Sequence, residues 1–332
     1  MSLRKIAFLI ICLTLVFSAC NNDDDSINIP EVVIRDRAEQ QIADNDSIVK
    51  YLTTHYYNAG DFIGNTNPKI ADLIISEIPE NGILPNDTDR VLYSNDGNDT
   101  NDAVQTKTIN FADTEYKFYI LELNKGGGTT SPKFSDKVRV IYEGMLLNNS
   151  VFDSAVTPVD LNLIGDRITT FGTIPGWRKV FPLFNVAETF VDNGDGTISY
   201  SNHGTGVMFL PSGLSYFANS PSSDIPAYAP LIFKFELLQS FENDHDNDGV
   251  PSWKEDIDQD GEFTIDPDDP EKDGDDDTDN DGTPDYVDAD DDGDGVFTIN
   301  EDLDGDGDPT NDIGPNGIPR YLDPEATESK NT

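Results

Sequence analysis

Acidic side chains decide what the C-terminal part of this chain can become. The formal net charge is −43, and residues 242–332 carry roughly half of the 64 aspartates and glutamates with very few lysines or arginines. A segment of that composition cannot collapse around an apolar core of its own. It is either a solvated tail or a row of cation sites, and spacing separates the two. DHDNDGVPSWKE sets Asp244, Asp246 and Asp248 at alternate places, glycine at the sixth and Glu255 at the twelfth. That is the calcium-loop pattern, in which about six to eight oxygens surround one ion and the glycine permits the sharp turn. DTDNDGTPDYVD repeats it with Asp277, Asp279, Asp281 and Asp288, and DDDGDGVFTINE with Asp290, Asp292, Asp294 and Glu301. Weaker copies start at Asp256 and Asp302, with the glycine but without a final acid. Random acidity would not hold this register, so structural Ca2+ is expected over residues 242–323, ahead of a polar tail at 324–332.

Copies as little as twelve residues apart leave no room for the helices of paired EF-hands. The segment resembles the aspartate-rich thrombospondin type 3 repeats, which implies an irregular chain wrapped around a string of ions. Extracellular modules of this kind bind at about 0.1–1 mM, and without metal the repulsion is expected to leave the segment largely unfolded. Trp253, Phe263, Tyr286 and Phe297 are its isolated large apolar residues. Docking on one another and docking on the rest of the chain both stay open.

The other end, MSLRKIAFLIICLTLVFSAC, has a basic start and an apolar run at residues 6–17 that is short for a membrane span. Its ending resembles a bacterial lipobox, although Phe17 replaces the usual leucine. The resemblance implies a lipoprotein signal at residues 1–20, a lipid on Cys20, and a membrane-anchored place in the cell envelope, on the periplasmic or the outer side. An uncleaved signal anchor is the other reading. Cys12 would leave with the signal, so the mature chain would hold no disulfide and would depend on an apolar core or on metal. The charge argues against nucleic acid as a partner. Residues 21–43, beginning NNDDDSINIPE, are polar and read as a tether.

Between the two ends lies an α+β body. DNDSIVKYLTTHYYNAG has Asp44 or Asn45 as candidate caps, Ile48, Tyr51, Leu52 and the His55-Tyr56 pair at helical spacing, and a stop near Gly60. It predicts a helix within an N-terminal extension over residues 44–114, and the helix is a candidate homodimerisation element. TEYKFYILEL, KVRVIYEGML and PLIFKFELL are rich in aromatic and branched residues, as strands are. Around one short helical piece they predict an antiparallel sheet.

Four stretches then follow in order: VRVIYEGMLLNNSVFDS, LIGDRITTFGTIPGW, FLPSGLSYF and IPAYAPLIFKFELL. Together they resemble the FKBP-type peptidyl-prolyl isomerases, over residues 115–241. The resemblance implies an FKBP-like sheet wrapped around a short helix, with a pocket of Tyr142, Phe152, Asp153, Ile174, Trp177, Tyr216, Ile225 and Phe233. Trp177 would be its floor, and Asp153 would pair with Tyr142 at the rim. The Tyr216 hydroxyl and the Ile174 backbone amide would donate to substrate carbonyls. Such a site needs no cofactor. Rotation about an Xaa-Pro bond costs about 18–20 kcal/mol because amide resonance is lost, and the twisted amide is less polar. An apolar pocket that removes water therefore favours it, with proline-containing polypeptides as the partners.

For each aromatic the plain alternative is a place in the core. Tyr142, Asp153 and Tyr216 fit that less well, because each carries a polar group that needs a partner. The pattern also departs from the family. Val159 stands at a wall position that is often aromatic, Phe217 where glycine usually follows the tyrosine, and Pro182 inside the expected helix. ETFVDNGDGTISYSNHGTGVMF is a long connection whose DG turn predicts an added hairpin. Two other readings stay open: a proline-peptide binding module without turnover, and a calcium-dependent surface spacer or adhesion protein.

Overall fold

The computed structural model describes residues 34–94, 102–265 and 275–330; the expected export signal, Cys20 and most of the expected tether lie outside them. Helix α1 spans Arg37–Thr54 and begins earlier than Asp44 or Asn45 suggests. Its N-cap is Asp36, whose carboxylate accepts from the Glu39 N–H at 2.9 Å. Residues 37–43, expected in the tether, are therefore helical. The early start is masked in the sequence because Gln40, Gln41 and Asp44 point inward as polar side chains and blunt the apolar repeat. Asp44 accepts from the Ser212 N–H at 2.7 Å and from its hydroxyl at 2.6 Å, and Asn45 accepts from the Tyr119 hydroxyl at 2.9 Å. The helix also ends before Gly60. His55 is extended, and with Tyr56 it belongs to strand β1 (His55–Tyr57), which pairs with β2 (Ile75–Glu77) and β3 (Arg90–Val91). The branched and aromatic run at residues 53–57 favours a strand over further helix.

The main sheet begins at β4 (Val104–Phe111), ahead of the boundary expected at residue 115. Its mixed polar sequence hides it, and a two-residue turn at Ala112 and Asp113, both at positive φ, returns it into β5 (Thr114–Asn124). There follow β6 (Lys137–Leu146), β7 (Val151–Asn162), the short helix α2 (Pro175–Val180), β8 (Thr189–Asp192), β9 (Ile198–Ser201), β10 (Gly204–Leu210) and β11 (Leu231–Phe241). Strands β8 and β9 form the added hairpin. The six-stranded antiparallel sheet runs β4-β5-β10-β11-β6-β7.

Alternation along the strands feeds two cores. Tyr116, Phe118, Met208, Leu210, Phe233 and Phe235 point to the face covered by α2. Tyr119, Leu121, Val207, Phe209 and Ile232 point to the opposite face, where Ile48 and Leu52 of α1 are fully buried. The apolar side of α1 is thus used within its own chain.

After β11 the described backbone makes turns, short 3-10 segments and a single antiparallel bridge between Ile313 and Pro319, yet it packs on the body. Phe263 stacks on Tyr286 with ring centres 4.0 Å apart and meets Phe134 of the β5–β6 connection at 5.1 Å. Lys133 lies 4.3 Å over the Trp253 ring, whereas Phe297 remains exposed.

Asp44 links α1 to the turn before Tyr216, so Asp44→Ala should cost about 1–3 kcal/mol in urea unfolding by stranding the Ser212 N–H. Burial raises the Asp44 carboxyl above its ordinary 3.8. The wild type should therefore lose part of its stability as the pH rises from about 3.8 through the raised folded value, a slope that the alanine variant lacks.

Candidate active site

Seven of the eight pocket residues expected from the sequence meet on the α2 side of the sheet. Trp177, Phe233 and Ile225 are 3–4% exposed, and Tyr142, Phe152, Ile174 and Tyr216 pack around them half-buried. The Trp177 ring contacts Phe233 at 5.0 Å and Tyr142 at 5.5 Å, both edge to face, and Phe152 meets Phe233 at 5.6 Å in the same manner. Asp153, the eighth, is exposed at the rim, where the Tyr142 hydroxyl donates to its Oδ2 at 2.6 Å. Burial, and then this hydrogen bond, raises Tyr142 above its usual pKa. Tyr216 is raised by burial and by the Asp153 charge. Val159 packs against the same cluster.

Three residues missing from the sequence-derived set shape this site. Gly144 lies opposite Asp153 across β6 and β7, and a Cβ there would stand 2.7 Å from Phe152 and 2.8 Å from Phe233. Phe181 and Phe235 carry the aromatic cluster inward from Trp177. The EG pair inside VIYEGML is the one signal that could have marked the close approach.

The departures from the family pattern have local accounts. Helix α2 ends at Val180, and Pro182 lies in the following 3-10 turn, where its missing N–H costs no helical bond. Phe217 has φ +50°, the left-handed conformation for which glycine is the ordinary choice. Its amide donates to the Ser212 carbonyl at 2.9 Å, its carbonyl accepts from the Tyr228 N–H at 2.7 Å, and Arg37 of α1 lies 4.4 Å over its ring.

Among the described residues, the acidic segment forms five groups of carboxylates whose oxygens lie within 4.8 Å of one another. Asp277, Asp279 and Asp281 form one, and Asp290, Asp292 and Asp294 another. Asp246, Asp248 and Glu255 form a third, joined by Asp291, which the repeat pattern did not assign to it. The two weaker copies also converge, as Asp256, Asp258 and Asp276, and as Asp302, Asp304 and Asp306. Asp244, Asp288 and Glu301 lie outside these groups. Asp244 instead accepts the turn amides of Asn247 at 2.7 Å and Gly249 at 3.1 Å, and Asp288 accepts from the Asp290 N–H at 3.0 Å. Glu301 is fully buried with both oxygens unpartnered, close enough to Asp292 and Asp294 for their charges to add to burial and raise it to about 8.

Among the described residues, Glu255 and Asp291 are also buried with both oxygens unpartnered, Asp248 is buried with one, and the half-buried Asp246 has one. Burial and the neighbouring charges push Glu255 up to about 11 and Asp291 to about 12. Hard oxygen donors converging without protein partners fit a divalent cation of the calcium class.

With that geometry, similarity to known proteins is of two kinds. Over 40% of the chain or less it is to FKBP-type peptidyl-prolyl cis-trans isomerases. The chain is 27% identical over 131 residues to the FKBP-type 22 kDa peptidyl-prolyl cis-trans isomerase of Escherichia coli strain K12, covering 40% of this chain and 52% of that protein. To the FKBP-type isomerase FkpA of Aeromonas hydrophila it is 32% identical over 122 residues, covering 35% and 36%. It thus spans about half or less of these relatives. A crystal structure of FkpA from Escherichia coli matches with a TM-score of 0.30 at 23% identity, over 42% of this chain and 51% of that one. Over the acidic segment, the family model that matches is described as BamM C-terminal, at residues 245–311, where the sequence had suggested thrombospondin type 3 repeats.

Gly144→Ala should force the Phe152 and Phe233 rings apart, costing about 1–3 kcal/mol in denaturant unfolding. An unchanged midpoint would show that the rings yield without loss.

Proposed function

We propose that the chain is a peptidyl-prolyl cis-trans isomerase acting on proline-containing polypeptides in the cell envelope, held to the membrane by a lipid on Cys20. The observation that carries this is the aromatic cluster itself. A nearly buried Trp177 is walled by Tyr142 and Phe233, with two rim donors, the Tyr216 hydroxyl and the Ile174 N–H, that have no partner among the described residues. A proline ring seated on Trp177 would leave its amide in apolar surroundings, where the less polar twisted form is favoured over the planar one. Tyr216 and the Ile174 amide would hold the flanking carbonyls, and Asp153 would fix the tilt of Tyr142. No proton moves and no covalent intermediate forms.

A binding module without turnover draws support from Phe217. It stands where the family usually has glycine after the tyrosine, with its ring against Tyr228 and under Arg37. The full chain, purified in detergent, should speed cis-to-trans conversion of a short Xaa-Pro peptide, and a Tyr142→Phe, Asp153→Ala double variant should lose about tenfold or more of that acceleration. A folded chain with no acceleration would favour the binding module.

The acidic segment is proposed to hold calcium on Asp246, Asp248 and Glu255, on Asp277, Asp279 and Asp281, and on Asp290, Asp292 and Asp294. Bound cation supplies the positive charge that lets buried carboxylates stay ionised. Removing metal with EDTA should lower the thermal midpoint of the full chain, and millimolar calcium should restore it. Equal midpoints in EDTA and in calcium would sink the assignment.

A further inference from the structure

Two side chains of the acidic segment grip consecutive backbone carbonyls of the loop that leads to the aromatic cluster. His245 Nε2 donates to the Ile164 carbonyl at 3.2 Å, which leaves Nδ1 to accept from the Ser252 hydroxyl at 2.8 Å. The Tyr286 hydroxyl donates to the Gly165 carbonyl at 3.1 Å. The two rings meet edge to face at 5.2 Å. Beyond these carbonyls the chain closes a tight loop. The Asp166 carboxylate accepts the amides of Ile168, Thr169 and Thr170 at 2.7–3.0 Å, and the Thr173 amide donates to the Asn162 carbonyl at 3.1 Å. Ile174, whose N–H has no partner among the described residues, comes next, and Trp177 lies three residues further on. The loop presents Ile168 and Phe171 to solvent, 88% and 96% exposed.

His245 directly precedes Asp246, and Tyr286 lies shortly before Asp291. The two gripping residues therefore sit on the two chain segments that meet at the Asp246, Asp248, Glu255 and Asp291 carboxylates. Asp248, Glu255 and Asp291 are at most 1% exposed, and five of their six carboxylate oxygens have no partner among the described residues. Backbone packing alone does not account for placing these groups together. A cation there would tie the first repeat to the fourth.

We infer that Asp291 completes a divalent-cation site with Asp246, Asp248 and Glu255, and that filling this site locks His245 and Tyr286 onto the Ile164 and Gly165 carbonyls, fixing the loop that sets the Ile174 donor. The significance of the loop rests on the isomerase reading. The site and its grip do not.

The test separates them. Hydrogen exchange of residues 164–174 is followed on the full chain in EDTA and in calcium, beside calcium titration by calorimetry, for the wild type, Asp291→Asn and Asp279→Asn. Calcium should slow exchange of the loop amides in the wild type. Asp291→Asn, which relieves repulsion and keeps side-chain shape, should weaken one calcium-binding step by about tenfold or more and abolish the loop protection. Asp279→Asn should weaken a different step and leave the protection in place. An Asp291→Asn chain that titrates like the wild type overturns the site. Loop protection that calcium does not change, or that Asp279→Asn removes equally, overturns the grip. Neither readout depends on turnover, so an inactive but calcium-protected chain would retire the isomerase reading alone.

Discussion

The close approach of α2 to the sheet is the constraint on which the rest of the structure depends. A Cβ on Gly176 would lie 2.3 Å from the Leu210 side chain on β10, so only glycine lets the helix settle this deeply. The helix has six residues, too few to be stable from propensity, and persists because its buried face is packed. Pro175 starts it with a preset φ, and the chain turns away at Phe181 and Pro182. At this depth Trp177 reaches Phe233 and Phe181 reaches Phe235 at 5.1 Å. A larger residue at position 176 would lift the tryptophan off the sheet and open the cluster from below.

Electrostatics governs the acidic segment as packing governs the sheet. Two carboxylates about 5 Å apart repel by roughly 3 kcal/mol at an effective dielectric near 20, and burial adds to that. Contact with the body therefore relies on neutral groups and on the body's few cations. Phe263 lies between Phe134 and Tyr286, while Arg178 and Lys179 of α2 both pair with Glu262. Lys133, Arg178, Lys179 and Lys254 line a cleft of about 670 Å3 between the two parts. In a chain this acidic, such a concentration of positive side chains marks where the segment docks.

Much of this was legible in the sequence, for identifiable reasons. Three of the four long strands, β5, β6 and β11, announce themselves through aromatic and branched residues, and the residues of the aromatic cluster could be named together because ordered motifs fixed their spacing. The start of α1 was not legible. Gln40, Gln41 and Asp44 face inward as polar groups, which no apolar periodicity can report. Strand β4 escaped for a related reason, since as an edge strand it buries little. The repeat pattern located Asp246, Asp248 and Glu255, but a linear register cannot reveal Asp291, which reaches the same carboxylates only because the chain folds back. Asp244 stands outside the converging oxygens, although like Asp277 it accepts the amides of its own turn.

The parts outside the family-like region converge on the two rim donors. Tyr216 follows the Ser212 turn, which Asp44 of α1 holds by two hydrogen bonds, and the Phe217 backbone beside it is kept left-handed under Arg37 of the same helix. Ile174 follows the loop gripped by His245 and Tyr286. The aromatic floor is built by the sheet and α2, but the groups that would orient a peptide above it are each positioned by an added segment, one from either end of the chain. Substitutions at Asp44, His245 or Tyr286, none of which pairs with α2, should therefore reach the site through donor geometry and not through the packing of Trp177.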